Sequence, residues 1–249
     1  MQGWFFYILI WLLVFLVYAS YSIKSQFYVK AICRVKTGKR VVFLTFDDGP
    51  DAEQTPKVLD VLKRNNAKAT FFCIGNKIAG NEAIMKRIAD DGHLIGIHSF
   101  CHSGYFPILK RKKMIADLEQ CKQEIAEATG QTTTLFRPPF GVTNPIVAKA
   151  VKALNLTTIG WTIRTYDTNM PKDEIVLKRI RRNLKRGAII LLHDRLPNSD
   201  TLLQKVIDEI RSAGYEIMPL PADAKNYQSI NVTAKGTPIT NEANNNTTI

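Results

Sequence analysis

Asp47 and Asp48 stand side by side at the end of an apolar run, Val41 to Phe46, and a Gly-Pro pair follows them. Two carboxylates this close repel, so one must meet a positive charge or stay protonated. Farther along, HSFCH sets His98 and His102 four residues apart. On a helical turn that spacing puts both imidazoles on one side, where they can hold one cation. An acid from the doublet would complete a set of two histidines and one carboxylate with an open position, an arrangement used by catalytic zinc. The other acid would then be free to take a proton, and residue order alone leaves open which aspartate does which. Arg137, ahead of Pro138-Pro139, adds a cation, and His193, closing the run AIILLH, adds a second proton carrier.

These groups need a frame that brings them together. Short apolar, β-branched runs predict strands at 41–46, 69–73, 94–98, 134–137, 157–161, 188–193 and 215–218. Amphipathic patterns between them predict helices at about 56–65, 81–91, 110–128, 144–154, 172–185 and 199–212. Strand and helix alternating in this way imply parallel strands with crossover helices, in a barrel or a doubly wound sheet. Asp47, Asp48, His98, Arg137, Trp161 and His193 each end or directly follow a predicted strand. In a parallel barrel those ends converge on one face, where active sites form.

The 249 residues carry a formal net charge of +12, and half of that excess falls in residues 24–40, which hold six Lys and Arg and no acid. The segment before it, Trp4 to Ile23, has no ionisable group apart from tyrosine and is long enough to cross a hydrocarbon core as a helix. We read 1–23 as a transmembrane anchor, with a cleaved signal peptide as the competing reading. Residues 24–40 then form a basic juxtamembrane linker beside lipid headgroups, 41–221 the catalytic domain, and 222–249 a disordered polar tail. The basic cluster has no nucleic-acid recognition motif beside it, so no nucleic-acid partner is expected. The four cysteines form no C-x-x-C pair and settle no compartment.

TFDDGP, HSFCH, RPPFG and LLH, in that order and on those elements, resemble the motifs of the NodB-type polysaccharide deacetylases, carbohydrate esterase family 4. The resemblance runs over roughly residues 40–220 and implies an α/β fold, a distorted (β/α) barrel of about seven parallel strands. It implies Asp47 as general base, kept ionised by Arg137, and Asp48, His98 and His102 as ligands of a divalent metal, Zn2+ with Co2+ or Ni2+ as alternatives. The Phe140 N–H would stabilise an oxyanion, Trp161 and Leu191 would receive the acetyl methyl, and His193 would protonate the leaving amine. Trp161 and Leu191 read equally well as plain core. Ser99 is expected to support its loop, and Cys101 to stay outside the ligand set.

One segment departs from the family pattern. WTIRTYDT has Arg164 at the place of an acid and Thr168 at the place of a tryptophan, while Asp167 survives to orient His193. The implied activity is removal of N-acetyl groups from N-acetylglucosamine-type residues of a polysaccharide or oligosaccharide. Two alternatives stand beside it: deacetylation or deformylation of a lipid-linked sugar at the membrane surface, and a non-catalytic glycan-binding scaffold. The expected partners are an N-acetylated glycan and, through the anchor, membrane lipids. The expected place is the cytoplasmic membrane with the barrel outside, although the positive-inside tendency favours the cytoplasmic face.

Overall fold

The computed structural model describes residues 2–169 and 172–221. The tail expected to be disordered, 222–249, lies outside the described residues. Helix α1 (Gln2–Tyr21) comes first, then strands β1 (Ala31–Ile32) and β2 (Val41–Asp47). Helix α2 (Gln54–Arg64), β3 (Ala69–Cys73), α3 (Glu82–Asp90), β4 (Leu94–Ile97), α4 (Arg111–Thr129) and β5 (Leu135–Phe136) follow. The chain ends its described part with α5 (Pro145–Ala153), β6 (Thr157–Ile159), β7 (Ile163–Arg164), α6 (Asp173–Asn183), β8 (Ala188–His193), α7 (Ser199–Ser212) and β9 (Glu216–Ile217).

The strands form one sheet in the order β1-β6-β5-β4-β3-β2-β8-β7, with β9 also paired to β2, and every ladder is parallel. Strand β2 lies between β3 and β8 and is buried along its whole length. That explains its continuous apolar run, since a parallel strand covered on both faces has no polar side. The helices pack outside through apolar stripes such as Val58, Leu59 and Leu62 of α2 and Leu203, Val206 and Ile210 of α7.

Two expectations are corrected by this sheet. It has nine strands where about seven were expected, and it is curled but open, with β1 and β7 at its ends. The predicted strands 134–137, 157–161 and 215–218 shrink to two or three residues each. The chain leaves β6 at one end and enters β7 at the other through only Gly160, Trp161 and Thr162, so the two ends lie near each other across a seam.

The basic segment 24–40 fills that seam and is not a free linker. Strand β1 pairs with β6, the Gly160 N–H donates to Ile32 O at 3.0 Å, and Thr162 Oγ1 donates to Cys33 O at 2.6 Å. On the far side the Val35 N–H donates to Gly187 O at 2.9 Å, and Arg34 bridges Ala188. Val29, Ala31 and Val35 are buried, while Lys30, Arg34 and Lys36 point to solvent. The charges sit on the outer side of a short stave.

The expected transmembrane helix is not supported. Among the described residues, no helix is long and apolar enough to cross a membrane. The apolar segment does form α1, but its last turn belongs to the domain: Ala19 is buried, and the Thr143 N–H donates to Ser20 O at 2.9 Å. The remaining stretch, Trp4 to Tyr18, rises only about 22 Å at 1.5 Å per residue, short of the roughly 30 Å of a hydrocarbon core. Trp4, Phe6, Trp11, Leu13 and Tyr18 on it are exposed.

Gly187 shows how tightly the stave is held. It has φ +73°, and a Cβ there would lie 1.8 Å from Val35 O. Gly187→Ala therefore combines a strained backbone with a clash that displaces the 31–37 segment. We expect a loss of about 1–3 kcal/mol in urea denaturation; an unchanged midpoint would show that the segment is not docked.

Candidate active site

The C-terminal strand ends place the sequence-expected groups around one cavity of about 240 Å3. Asp47, Asp48, His98, His102, Phe140, Trp161, Leu191 and His193 all line it. Arg137 stands behind it and is fully buried. A surface salt bridge is thereby excluded for Arg137. Its Nη1 donates to Asp47 Oδ1 at 2.6 Å and to Thr45 Oγ1 at 2.8 Å, its Nη2 to Gly160 O at 3.0 Å, and its Nε to Ile159 O at 3.2 Å. The guanidinium also lies 4.2 Å from the centre of the Phe72 ring. Burial pulls the Arg137 pKa below its ordinary value, and Asp47 works against that pull. Asp47 Oδ2 has no hydrogen-bond partner among the described residues, so this oxygen is free to take a proton.

Asp48, with φ +73°, presents its carboxylate to two histidines. Its Oδ1 lies 3.4 Å from His98 Nε2 and 3.3 Å from His102 Nε2. These three side chains are a group able to hold a metal ion. The spacing fits one: ligand atoms about 2.0–2.1 Å from a tetrahedral ion stand about 3.3–3.4 Å apart. His98 Nδ1 donates to the Arg137 carbonyl at 2.8 Å. A carbonyl only accepts, so Nδ1 carries a hydrogen, and Nε2 is the nitrogen that faces Asp48 and would ligate a metal once unprotonated. Burial opposes ionisation of Asp48, yet contact with His98 and the charges of His98, His102 and His193 hold it far below the usual carboxylate range. Burial and the neighbouring His98 bring His102 down to about 4, which favours the neutral imidazole that a metal needs.

His193 faces this cluster, with Nε2 3.9 Å from Asp48 Oδ2. Asp167 fixes it twice: Oδ1 lies 2.8 Å from His193 Nδ1, and Oδ2 accepts the His193 N–H at 2.8 Å. Thr165 Oγ1 and the Thr168 N–H donate to Asp167 in turn. Burial lowers the His193 pKa, but the Asp167 hydrogen bond and charge outweigh it and leave the group above its ordinary value. Trp161 and Leu191 are at once core and cavity wall, clustered with Ile23 and Ala31. Gly141, at φ +72°, lets the indole pass where a Cβ would lie 2.3 Å from Cη2. Phe140 also has positive φ, 61°, and its ring stands 4.8 Å from the His102 ring. Ser99 supports its loop as expected, accepting the His102 N–H through Oγ at 2.9 Å, and Cys101 is exposed outside the metal-ligating group.

Two participants were missed in the sequence. Arg195 Nε donates to Asp48 Oδ2 at 2.9 Å, and Arg195 also lines the cavity. Asp194 is fully buried, accepts from Thr55 Oγ1 at 2.6 Å, and is pushed up by burial to about 6. Both directly follow His193 in HDR, and a motif that stops at His gives no signal for either. The departures Arg164 and Thr168 also line the cavity. The Arg164 guanidinium stands 5.5 Å from the Trp161 ring centre, so a cation covers the indole on the side where the family pattern has an acid.

A curled parallel α/β sheet thus carries an Asp-His-His cluster between a buried Arg-Asp pair and a His-Asp pair. The chain belongs to the polysaccharide deacetylase family, whose model matches residues 34–159. The peptidoglycan-N-acetylglucosamine deacetylase PgdA of Listeria monocytogenes is 35% identical over 205 residues, 79% of this chain and 41% of that protein. This chain therefore spans less than half the length of that relative. Among solved structures, the Bc1960 peptidoglycan N-acetylglucosamine deacetylase aligns with TM-score 0.71 and 30% identity, over 76% of this chain and 90% of that one. BA3943, a CE4 family pseudoenzyme from Bacillus anthracis, aligns with TM-score 0.70 and 30% identity, over 76% of this chain and 66% of that one.

The Asp167–His193 contact carries a pH signature. Removing the carboxylate charge removes what raises the His193 pKa, so the protonated imidazole is lost at lower pH. In Asp167→Asn the alkaline limb of kcat/KM on an N-acetylated sugar should move to lower pH, with kcat reduced. An unmoved limb would show that His193 is not the group titrating there.

Proposed function

We propose that this chain is a divalent-metal-dependent hydrolase that removes N-acetyl groups from N-acetylglucosamine-type residues of a polysaccharide or oligosaccharide. One observation carries the reading: a carboxylate paired with a buried guanidinium, a metal-ligating triad and a carboxylate-held imidazole face the same small cavity. Asp48, His98 and His102 would hold the ion, and Zn2+ suits their nitrogen and oxygen donors, with Co2+ and Ni2+ as alternatives. When bound, the ion supplies Lewis acidity toward an amide carbonyl and acidifies water.

The chain's own residues supply the rest. Asp47 takes a proton through Oδ2, while Arg137 holds its other oxygen, Oδ1, in place. His193, held protonated by Asp167, gives a proton to the departing amine, which leaves poorly as an anion. Trp161 and Leu191 give the acetyl methyl an apolar wall. The Phe140 N–H is the backbone donor assigned to the developing oxyanion. PgdA and Bc1960 support peptidoglycan as the glycan. The pseudoenzyme BA3943 keeps a non-catalytic role in view, but both proton carriers and all three candidate ligands are present here, which favours turnover. Release of acetate from N-acetylglucosamine oligomers by zinc-loaded protein tests the reading, and its absence with zinc bound would favour the scaffold.

Localisation is also proposed: α1 anchors the chain in the cytoplasmic membrane, with the catalytic domain on the outer side. Exposed apolar side chains on α1 support insertion. Alkaline phosphatase fused after residue 221 should then be active and a cytoplasm-dependent fluorescent protein dark; the reverse places the domain inside.

Roles within the doublet separate by mutation. Asp47→Asn should retain metal and lose about 10²–10⁴-fold in turnover, whereas Asp48→Asn or His98→Ala should lose the metal, as read by metal analysis after dialysis. His193→Ala should slow amide hydrolysis more than hydrolysis of an activated acetate ester, whose leaving group needs little protonation. Equal losses on both substrates would remove His193 from the proton-donor role.

A further inference from the structure

Beside the catalytic cavity lies a second one, of about 360 Å3, between the end of α1 and α6. The two share Trp161 and Arg164 as walls. Lys24, Arg164 and Arg179 line the second cavity, and no carboxylate does. Lys24 Nζ donates to Thr162 O at 2.9 Å, and Arg179 Nη1 donates to Thr165 O, so both are held in place by backbone carbonyls. None of the three cations forms an ion pair among the described residues.

Tyr166 sets the spacing of the two guanidiniums. Its ring centre lies 5.0 Å from Arg164 and 4.8 Å from Arg179. Its backbone is left-handed, with φ 59°, a conformation that a bulky residue adopts only when its surroundings impose it. Like charges gathered around one void without a counter-ion leave a strong field for an anion. The nearby surface extends this character: Lys178 and Arg182 line an adjoining hollow with Arg179.

We propose that this cavity is a phosphate-binding subsite, and that the substrate is an amino sugar carrying a phosphate or diphosphate. The proposal rests on the deacetylase reading above and names its substrate class. A sugar presenting its acetamido group to Asp48, His98 and His102 has the shared Trp161–Arg164 wall beside it. A group attached to that sugar enters the second cavity. One carboxylate would neutralise one of three cations, whereas a phosphate ester or diphosphate carries more charge and matches guanidinium forks bidentately. The cavity opens next to Tyr21, at the end of the apolar α1, so a phosphate held in a membrane surface could reach it. The same chemistry is offered by a soluble sugar phosphate, by a lipid-linked sugar and by a phospholipid headgroup.

The test uses the full chain in detergent micelles. Inorganic pyrophosphate should bind the metal-free protein in calorimetry, and Lys24→Gln, which removes one charged hydrogen bond, should weaken it about tenfold or more, as should Ser22→Asp, which puts a like charge on the same cavity wall. Absence of binding to the parent protein overturns the subsite. With zinc loaded, kcat/KM for N-acetylglucosamine 1-phosphate should exceed that for the methyl glycoside about tenfold. That ratio should fall toward one in both variants. Turnover of the methyl glycoside without any preference for the phosphate overturns the subsite and leaves the deacetylase standing. No turnover of either sugar overturns the deacetylase reading, and the proposed substrate class falls with it. An equal gain with N-acetylmuramic acid would assign the cavity to a carboxylate instead. Loss of binding to phosphatidylglycerol vesicles in the variants, with the sugar-phosphate preference intact, would assign it to headgroups and contradict the proposal.

Discussion

A single buried cation, Arg137, ties the strands of the site together. A guanidinium fully out of water costs several kcal/mol unless every donor is used and a counter-charge is near. Here Asp47 and Thr45 come from β2, Ile159 and Gly160 from the end of β6, and Phe72 from β3. The Arg137 N–H donates to Ile97 O at 3.0 Å, and its carbonyl accepts from His98 just beyond β4. The same residue thus anchors the carboxylate read as base and orients one of the candidate metal ligands. Displacing it leaves a buried Asp47 without a partner and frees the His98 ring.

The opposite wall depends on a different device, the seam of the open sheet. Trp161 spans the short passage from β6 to β7 and packs on Ile23 and Ala31, so the segment after α1 forms part of the wall around the cavity. Asp167 and His193 complete this side. Asp47 and His193, the proposed proton acceptor and donor, thus come from two separate halves of the structure. The second cavity lies where the seam meets α1, which places any substrate extension next to the apolar helix.

Much of this was legible in the residues. Strand ends were marked by apolar runs that stop at Asp47, His98 and His193, because a parallel strand buried on both faces announces itself by composition. The helices fell within two residues of their patterns. Strands β1 and β7 were hidden because two residues carry no period. The stave at 29–35 did leave a trace: Val29, Ala31, Cys33 and Val35 alternate with Lys30 and Arg34, but Ile32 interrupts the pattern and the charge drew attention first. The docking of Ala19 at the end of α1 depends on tertiary contacts with Thr143, and no hydropathy window contains them. Arg195 could not be found because its meaning comes from Asp48, far away in sequence.

The central claim is that Arg137 holds Asp47 as the base and does not hold the metal. Arg137→Lys preserves the buried positive charge but cannot serve Asp47, Thr45, Ile159 and Gly160 at once. Zinc content and acetate release from N-acetylglucosamine oligomers, measured together on this variant, test the claim most directly. The expected result is a zinc content equal to that measured for the parent protein, with turnover reduced about 10²-fold, the lower end of general acid–base contributions. Parental turnover, or loss of zinc with His98 and His102 unaltered, would contradict it.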